Sequence, residues 1–254
     1  MNNWIPLYTF TRREVERFLR VALQSLATPW ISAILYILIF GKIVGSRIGT
    51  IQGVTYIDFV LPGIIMMNVI MSAFSQASNS LYFQRFARHI EEVLISPLSY
   101  GEMITGYVIG AIIRSIVVAV GIYALALFFT SASFSHPFLF FFYIISVAIL
   151  FALLGLLVGL WADGFEQLTI MLTFVLTPLS YLGGIFNSSS MLPSWLQVAV
   201  KFNPFYYFVD GIRYSMIGIR EADLALGVGI ILVSLVVLGA FVWYLFKIGY
   251  RLRA

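Results

Sequence analysis

The amino-acid sequence predicts an all-α membrane protein with six transmembrane helices. Hydrophobic residues make up 61% of its 254 residues and charged residues only 10%, whereas soluble domains are roughly 45–50% apolar and about 25% charged. A charge-free stretch of about 20 residues is long enough to cross a bilayer as a helix. Such stretches cover residues 21–41, 59–84, 115–162, 167–200 and 224–246. The third is long enough for two helices and is divided by the polar stretch 131–137, so six spans are predicted.

Basic residues predict the orientation of these spans, because cytoplasmic flanks hold the excess of arginine and lysine. One side of the predicted bundle carries more basic residues than the other, with Arg114 inside a span. The richer side carries Arg12, Arg13, Arg17, Arg20, Arg85, Arg88, Lys247, Arg251 and Arg253. Both termini are therefore predicted to be cytoplasmic. We expect no cleavable signal peptide, since about 20 charged and amphipathic residues precede the first apolar run.

Composition limits the chemistry that this chain can perform. It has no cysteine, which excludes disulfides, thiolate metal sites and a cysteine nucleophile. No cluster of His, Asp and Glu has the spacing of metal ligands, and no serine lies in a G-x-S-x-G context. Metal catalysis and an intramembrane hydrolase are therefore unsupported. The net charge of +4 favours contact with membrane lipids over nucleic acid.

The N-terminal residues predict a helix that lies in the cytoplasmic membrane interface. Residues 11–14, T-R-R-E, match a capping box, which predicts a helix start. Apolar and charged residues then alternate with helical period, which predicts an amphipathic interface helix over residues 8–27. Thr28 and Pro29 resemble an N-cap and a first-turn proline, so the first span is predicted to begin there.

Polar side chains form a stripe on each of two spans. The stripes comprise Asn68, Ser72, Ser75 and Asn79 in the second span, and Thr169, Thr173, Thr177 and Ser180 in the fifth. Helical spacing puts each set on one face, which must contact protein or water because lipid cannot satisfy it. Hydrogen bonding between neighbouring helices is one interpretation. The wall of a translocation path is the other.

A charged amphipathic segment joins the second and third spans. Residues 84–98 are predicted to form one surface helix, with arginines near its N-terminal end and Glu91 and Glu92 near its C-terminal end. Because this charge order opposes the helix dipole, a partner protein is one explanation for the segment. An amphipathic loop lying on lipid headgroups is the alternative.

The third span contains a cation. Arg114 lies about 18 Å along the helix axis from Glu102, at 1.5 Å per residue. A cation at that depth needs a partner or a wet cavity. An ion pair with Asp163 or Glu166 and a contact with substrate are both open.

Two glycine pairs in the third and fourth spans have the G-x-x-x-G spacing. They are Gly106 with Gly110, and Gly155 with Gly159. Small residues at this spacing let helix backbones approach closely, so both pairs predict helix packing.

Short re-entrant helices are predicted between the fifth and sixth spans. Gly183 and Gly184 end the fifth helix, and the apolar piece 193–200 is too short to cross the bilayer. Asn203 and Pro204 then resemble the cap and first turn of another short helix, which Gly218 closes.

Three stretches resemble the membrane subunit of type-2 ATP-binding-cassette (ABC) exporters, especially the short bacterial inner-membrane permeases. Residues 90–97, I-E-E-V-L-I-S-P, are similar to the family's coupling helix. Residues 177–186, T-P-L-S-Y-L-G-G-I-F, form the second stretch, followed by Leu192, Pro193 and Trp195. Residues 203–207, N-P-F-Y-Y, form the third, followed by Asp210, Gly211 and Arg213. The resemblance covers nearly the whole chain, as one transmembrane domain over residues 1–254.

The resemblance implies a homodimer in the bacterial inner membrane, with two ABC ATPase subunits docked on its cytoplasmic side. ATP and Mg would bind the ATPase, and this chain is expected to be no enzyme and to bind no cofactor. It has no G-x-x-x-x-G-K-[ST] loop, which agrees. Coupling to the ATPase is expected at Arg13, Arg17, Arg85, Arg88, His89, Glu91, Glu92 and Pro97, in an interface helix (8–27) and a coupling helix (84–98). The translocation path is expected to include both polar stripes and Arg114. An extracytoplasmic gate over residues 183–218 is expected to include Gly183, Gly184, Phe186, Asn203, Pro204, Asp210 and Arg213.

The expected function is export of an amphipathic or hydrophobic substrate, such as a drug, a lipid or a lipid-linked glycan. An ion-coupled secondary transporter or channel is the alternative. Carboxylates within the predicted spans are scarce, and no inverted repeat is evident, which disfavours that alternative.

Overall fold

The computed structural model describes residues 4–130 and 134–252, so Arg253 and part of the predicted 131–137 connection lie outside the described residues. An N-terminal helix, Trp4–Arg20, precedes six helices that are long and apolar enough to cross a membrane. In chain order, spans 1 to 6 are Leu23–Ile48, Tyr56–Phe86, Tyr100–Ala126, Pro137–Trp161, Phe165–Leu182 and Leu224–Lys247. The all-helical class and the six spans predicted from the sequence are confirmed.

Span 2 is the centre of the bundle. It packs mainly against spans 3 and 4, and its side chains are buried along most of its length. Spans 1, 5 and 6 lie at the periphery, and few of their side chains are buried. At 1.5 Å per residue, span 2 is about 45 Å long, so it joins the two ends of the molecule as one continuous helix.

The glycine pair of span 4 explains how closely spans 2 and 4 approach. A Cβ added at Gly155 would lie 2.6 Å from the carbonyl oxygen of Phe74, and one added at Gly159 would lie 3.0 Å from that of Ser78. The predicted packing role of this pair is confirmed, because any side chain here would push the two backbones apart.

The glycine pair of span 3 packs against the N-terminal helix. A Cβ at Gly106 would lie 2.3 Å from the ring of Phe10, and one at Gly110 would lie 3.0 Å from the Cβ of Glu14. Because these two glycines lack side chains, the N-terminal helix can pack closely against span 3.

The predicted boundaries of the N-terminal helix are wrong. The helix begins at Trp4, and residues 11–14 lie inside it, so they cannot form a capping box. Tertiary packing is the reason, since Glu14 is only 1% exposed and bonds to span 2. Thr28 is not an N-cap either, because span 1 runs through it from Leu23 in alternating α and π geometry.

Capping residues and prolines set several other boundaries. Ser99 and Glu102 form a capping box that starts span 3 at Tyr100. A two-stranded antiparallel hairpin, Thr50–Ile51 with Val54–Thr55, joins spans 1 and 2. In span 5, a π-helical stretch, Met171–Leu176, lies directly before the turn that contains Pro178.

Three short helices lie between spans 5 and 6. They are a 3₁₀ turn, Ser189–Met191, and two α-helices, Ser194–Lys201 and Pro204–Ile217. Asn203 caps the last of these, and Gly218 ends it in the left-handed conformation at φ 72°. The predicted helix start and stop signals are confirmed.

Candidate functional site

The charged segment after span 2 is not one helix, contrary to the prediction for residues 84–98. Span 2 continues through Phe86, the chain breaks at Arg88 with φ 59°, and a short helix then covers Ile90–Leu94. Glu91 and Glu92 therefore lie in the first turn of a new helix, where the helix dipole stabilises negative charge. The unfavourable charge order inferred from the sequence came from assuming continuity. We call residues 87–98 the coupling segment.

The coupling segment has a buried face and an exposed face. Ile90 and Val93 are buried, and they fix the short helix to the bundle. The predicted coupling residues of this segment are all exposed, namely Arg88, His89, Glu91, Glu92 and Pro97. This end of the molecule therefore presents a short, charged and anchored surface.

Arg85 does not belong to that exposed surface. Its Nη1 donates to the carbonyl oxygens of Gly159 and Ala162, at 2.7 and 3.2 Å, and its Nε donates to that of Arg251 at 2.6 Å. These bonds tie the end of span 2 to the end of span 4 and to the C-terminal tail.

An apolar groove separates the N-terminal helix from the coupling segment. Its volume is about 360 Å³. Phe10 and Arg13 line one wall, and Glu92, Val93 and Leu98 line the other. Of the two predicted coupling residues in the N-terminal helix, Arg13 thus borders the groove. Arg17 turns inward instead, toward Glu14 at 3.7 Å and the carbonyl oxygen of Ser80 at 3.4 Å.

A buried polar cluster fastens the N-terminal helix to spans 2 and 3. The Glu14 carboxylate accepts a hydrogen bond from Ser80 and another from Gln84 Nε2 at 2.8 Å. The Gln84 carbonyl in turn accepts from the hydroxyl of Tyr107 in span 3 at 2.8 Å. Sequence reasoning missed this cluster because it assigned Glu14 to a helix cap. One sequence feature that agrees with it is Gly110 of span 3, which leaves room for the Glu14 side chain.

Arg114 makes no ion pair in the part of the chain that the structure describes. Its Nη1 donates to Gln76 Oε1 at 3.1 Å and its Nη2 to the carbonyl oxygen of Ser25 at 3.3 Å, while its Nε has no partner there. The predicted pairing with Asp163 is wrong, since Asp163 pairs with Arg251 at 2.9 Å. Neither salt bridge nor hydrogen bond joins Arg114 to Glu166 among the described residues.

The polar stripe of span 2 is only partly buried. Asn68 and Ser72 are buried, whereas Ser75 and Asn79 are half-buried. The amides of Asn68 and Asn79 donate to carbonyls one turn earlier, at 2.9 and 2.8 Å. Donation within one helix does not join neighbouring helices, so these bonds give no support to the helix-to-helix interpretation.

The polar stripe of span 5 changes environment along the helix. Thr169 and Thr173 are exposed, Thr177 is half-buried and Ser180 is buried. The Thr177 hydroxyl donates to the carbonyl oxygen of Leu172, five residues earlier, as the π-helical turn allows.

The region that follows span 5 packs onto the start of span 2. Gly184 has φ 80°, which favours glycine. It turns the chain so that Ile185 packs on Gly63 of span 2, where an added Cβ would lie 2.9 Å from the Ile185 Cα. The Phe186 ring stacks on Phe40 of span 1, with ring centroids 4.1 Å apart. Gly183 is buried and leaves no room for a side chain beside Phe205.

Arg213 is the fully buried cation of this region. Its Nη2 donates to the carbonyl oxygen of Gly184 at 2.5 Å, its Nε donates to that of Phe59 at 3.3 Å, and its guanidinium lies 3.9 Å from the Phe59 ring centroid. Asp210 lies 3.9 Å away. The predicted gate residues thus include a clamp that joins the turn at Gly184 to span 2.

Asp210 and Glu221 organise the loop before span 6. The Asp210 carboxylate accepts from the backbone N–H groups of Glu221 and Ala222, each at 2.9 Å. Burial raises the pKa of Asp210, although both N–H donors and Arg213 favour the charged form. Glu221, which sequence reasoning missed, accepts from Ser188 and from the Ser189 N–H at 2.8 Å. Asn203, the N-cap of the helix Pro204–Ile217, donates from its amide to the carbonyl oxygen of Leu179 at 2.7 Å. Pro204 is the first residue of that helix.

Metal ligation has no support over residues 4–130 and 134–252, where no group of three His, Asp or Glu side chains could hold an ion. His89 is exposed in the coupling segment. His136 stacks on Tyr214 with ring centroids 5.0 Å apart.

Comparison with known proteins identifies the family. Residues 6–217 match the family model described as "ABC-2 type transporter". The chain is 38% identical over 252 residues to the "Inner membrane transport permease YadH" of Escherichia coli strain K12, covering 99% of this chain and 98% of that protein. It is 24% identical to "Nodulation protein J" of Rhizobium leguminosarum bv. viciae, over 92% and 90% of the two chains. With six spans and these matches over nearly its whole length, the chain belongs to the ABC-2 type transporter family and is the membrane subunit of an ABC transporter.

Proposed function

We propose that this chain is the permease subunit of a bacterial inner-membrane exporter for an amphipathic or hydrophobic substrate. Two copies would form the path, and two separate ABC ATPase subunits would drive it. The observation that carries this proposal is the coupling segment, whose exposed charges are anchored by buried Ile90 and Val93. Membership of the ABC-2 type transporter family implies that an ABC ATPase is the partner for this surface. The inner-membrane location is supported by the printed name of the 38% identical relative.

The direct ATPase contact is assigned to the five exposed residues of the coupling segment that the sequence predicted, which are Arg88, His89, Glu91, Glu92 and Pro97. Arg17 and Arg85 would act from behind it, because both bond within the chain. Arg13 would act from the opposite wall of the groove. A displacement of this surface would pass directly into span 2, which precedes it in the chain, and through Arg85 to the end of span 4 and the C-terminal tail. It would reach the N-terminal helix across the groove. Such a rigid displacement is a common way of switching between conformations.

Spans 2 and 5 are proposed to line a path between two copies of the chain. The half-buried Ser75 and Asn79 and the exposed Thr169 and Thr173 would face that path, since polar groups facing lipid would be unfavourable. Arg114 would stay a half-buried structural cation, because Gln76 and the Ser25 carbonyl accept hydrogen bonds from it. The clamp at Arg213 would form the extracytoplasmic gate, with both termini in the cytoplasm.

A reconstituted complex tests this proposal. The tagged chain is purified with the ATPase subunit that accompanies it, and ATP hydrolysis is measured in proteoliposomes with and without candidate drugs, lipids and lipid-linked glycans. Glu92→Lys is expected to leave folding and dimerisation intact and to abolish stimulation by substrate. Glu166→Lys is the matched control, because Glu166 is also exposed but lies in the first turn of span 5, outside the coupling segment.

Two results would contradict the proposal. Full stimulation in Glu92→Lys would remove the coupling role of this surface. Transport by the purified chain in the absence of any ATPase would support an ion-coupled transporter or a channel instead.

A further inference from the structure

A basic cavity lies between the N-terminal helix, the end of span 2 and the coupling segment. Its volume is about 260 Å³, and its lining residues are Arg13, Arg17, Arg20, Phe83, Gln84 and His89. The three arginines are spaced by four and three residues, which places them on one face of the helix. The cavity is thus a concave site with three guanidinium groups and no carboxylate among its lining residues.

The two carboxylates on the same helix neutralise this site only in part, because Glu14 lies 3.7 Å from Arg17 and leaves Arg13 without a carboxylate partner among the described residues. Glu14 lies beneath it, 1% exposed, and already accepts hydrogen bonds from Ser80 and Gln84. Glu16 binds Arg12 at 2.6 Å and reaches Arg20 only at 3.7 Å. Arg13 and Arg20 remain exposed. The site therefore keeps a local excess of positive charge, which favours an anion with several acceptor oxygens.

Bare apolar surface adjoins the cavity. Phe83 in its wall is 45% exposed, and the chain that leaves Arg20 exposes Val21 by 52% and Leu23 by 85%. Leu23 is the first residue of span 1, so this surface continues onto a helix that crosses the membrane. A soluble anion would gain nothing from it, whereas the acyl chains of a lipid would bury it.

We propose that this cavity binds the phosphate headgroup of an anionic phospholipid from the adjacent leaflet, with the acyl chains lying on Leu23 and Phe83. The arginine fork suits phosphate oxygens, which it can bind in pairs. Arg13 also borders the apolar groove beside the coupling segment. A bound lipid would thereby hold the N-terminal helix next to that segment. The inference depends on the chain spanning a membrane, not on the identity of its exported substrate.

Lipid binding is measured on the full-length permease alone, without any ATPase, in phosphatidylcholine nanodiscs titrated with phosphatidylglycerol and read by native mass spectrometry. The test variant is Arg13→Gln/Arg20→Gln, which leaves the Arg17–Glu14 pair intact. Each arginine near a membrane surface contributes about fivefold in affinity for anionic lipid, so the double variant is expected to bind phosphatidylglycerol roughly 25-fold more weakly. The matched control is Arg47→Gln/Lys247→Gln, which removes the same charge outside the cavity, leaves Glu16 paired with Arg12, and is expected to bind like the unmodified chain.

Three results would overturn the proposal. Equal losses in both double variants would mean attraction by net charge alone. Full displacement of the lipid by inorganic phosphate at matched concentration would assign the site to a free anion. Unchanged lipid binding in Arg13→Gln/Arg20→Gln, together with weaker association of the ATPase subunit, would assign these arginines to protein docking.

Discussion

Replacing Glu14 by leucine tests whether the N-terminal helix is an integral part of the bundle. The substitution keeps a side chain of similar volume and removes the carboxylate that Ser80 and Gln84 bond to. Each hydrogen bond to a charged acceptor contributes about 1.5–3 kcal/mol. The Gln84 amide and Ser80 hydroxyl would be left buried without this acceptor, because both residues lie within the packed part of span 2.

The expected loss for Glu14→Leu is about 3–6 kcal/mol, from two hydrogen bonds to a charged acceptor at about 1.5–3 kcal/mol each. The contact with Arg17 adds little, because that guanidinium is 32% exposed and 3.7 Å away. For a protein of this size the loss corresponds to a fall in Tm on the order of 10 °C. Tm is measured in detergent by intrinsic tryptophan fluorescence.

Glu16→Leu is the control, since Glu16 lies on the same helix and its side chain is 39% exposed. We expect its Tm to change by no more than about 2 °C, as for most exposed substitutions. Glu14→Gln should fall between the two, because an amide can still accept one hydrogen bond. Equal Tm values for Glu14→Leu and Glu16→Leu would refute the reasoning and would make the N-terminal helix a loosely attached element.

Further substitutions test other parts of the structure. Gly155→Leu should prevent stable folding, since even a Cβ would lie 2.6 Å from the Phe74 carbonyl oxygen; a normal gel-filtration profile would contradict this close contact. Arg114→Leu should lower Tm by several degrees by leaving Gln76 and the Ser25 carbonyl without their donor; loss of transport at unchanged Tm would assign Arg114 to the path instead. Asn79→Leu should change the substrate response of ATP hydrolysis more than Asn68→Leu, since only Asn79 is half-buried; equal changes would argue against a path on that side of span 2. Arg213→Met should leave the gate turn at Gly184 more accessible to proteases while span 2 stays protected, and an unchanged digestion pattern would contradict the clamp.

Sequence reasoning succeeded where one local signal determines an element. The six spans follow from charge-free length, and the helix at Pro204–Ile217 follows from Asn203 and Gly218. It failed where distant residues decide. Residues 11–14 satisfy a capping pattern, yet the Glu14 carboxylate accepts hydrogen bonds from Ser80 and Gln84, more than 60 residues away in the chain.

The coupling segment shows the same limit. Its apolar spacing fits a single helix over residues 84–98, but Arg85 is held by carbonyls of span 4 and the C-terminal tail, so Gln84, Arg85 and Phe86 stay in span 2. The chain then needs a sharp change of direction, which the positive φ of Arg88 supplies. Neither the carbonyl partners nor the backbone turn can be read from periodicity.

Span 2 connects these observations mechanically. At its end the Arg85 bonds and the Glu14 cluster join it to span 4, the C-terminal tail and the N-terminal helix. At its start Arg213 joins the Phe59 carbonyl to the turn at Gly184, and Ile185 packs on Gly63. Because a buried helix packed on several sides bends little, a displacement at one end must either move the other end or break one of these contacts. Arg213 is a side chain that bonds both to the gate turn and to span 2, so we expect the gate to yield at its hydrogen bonds first.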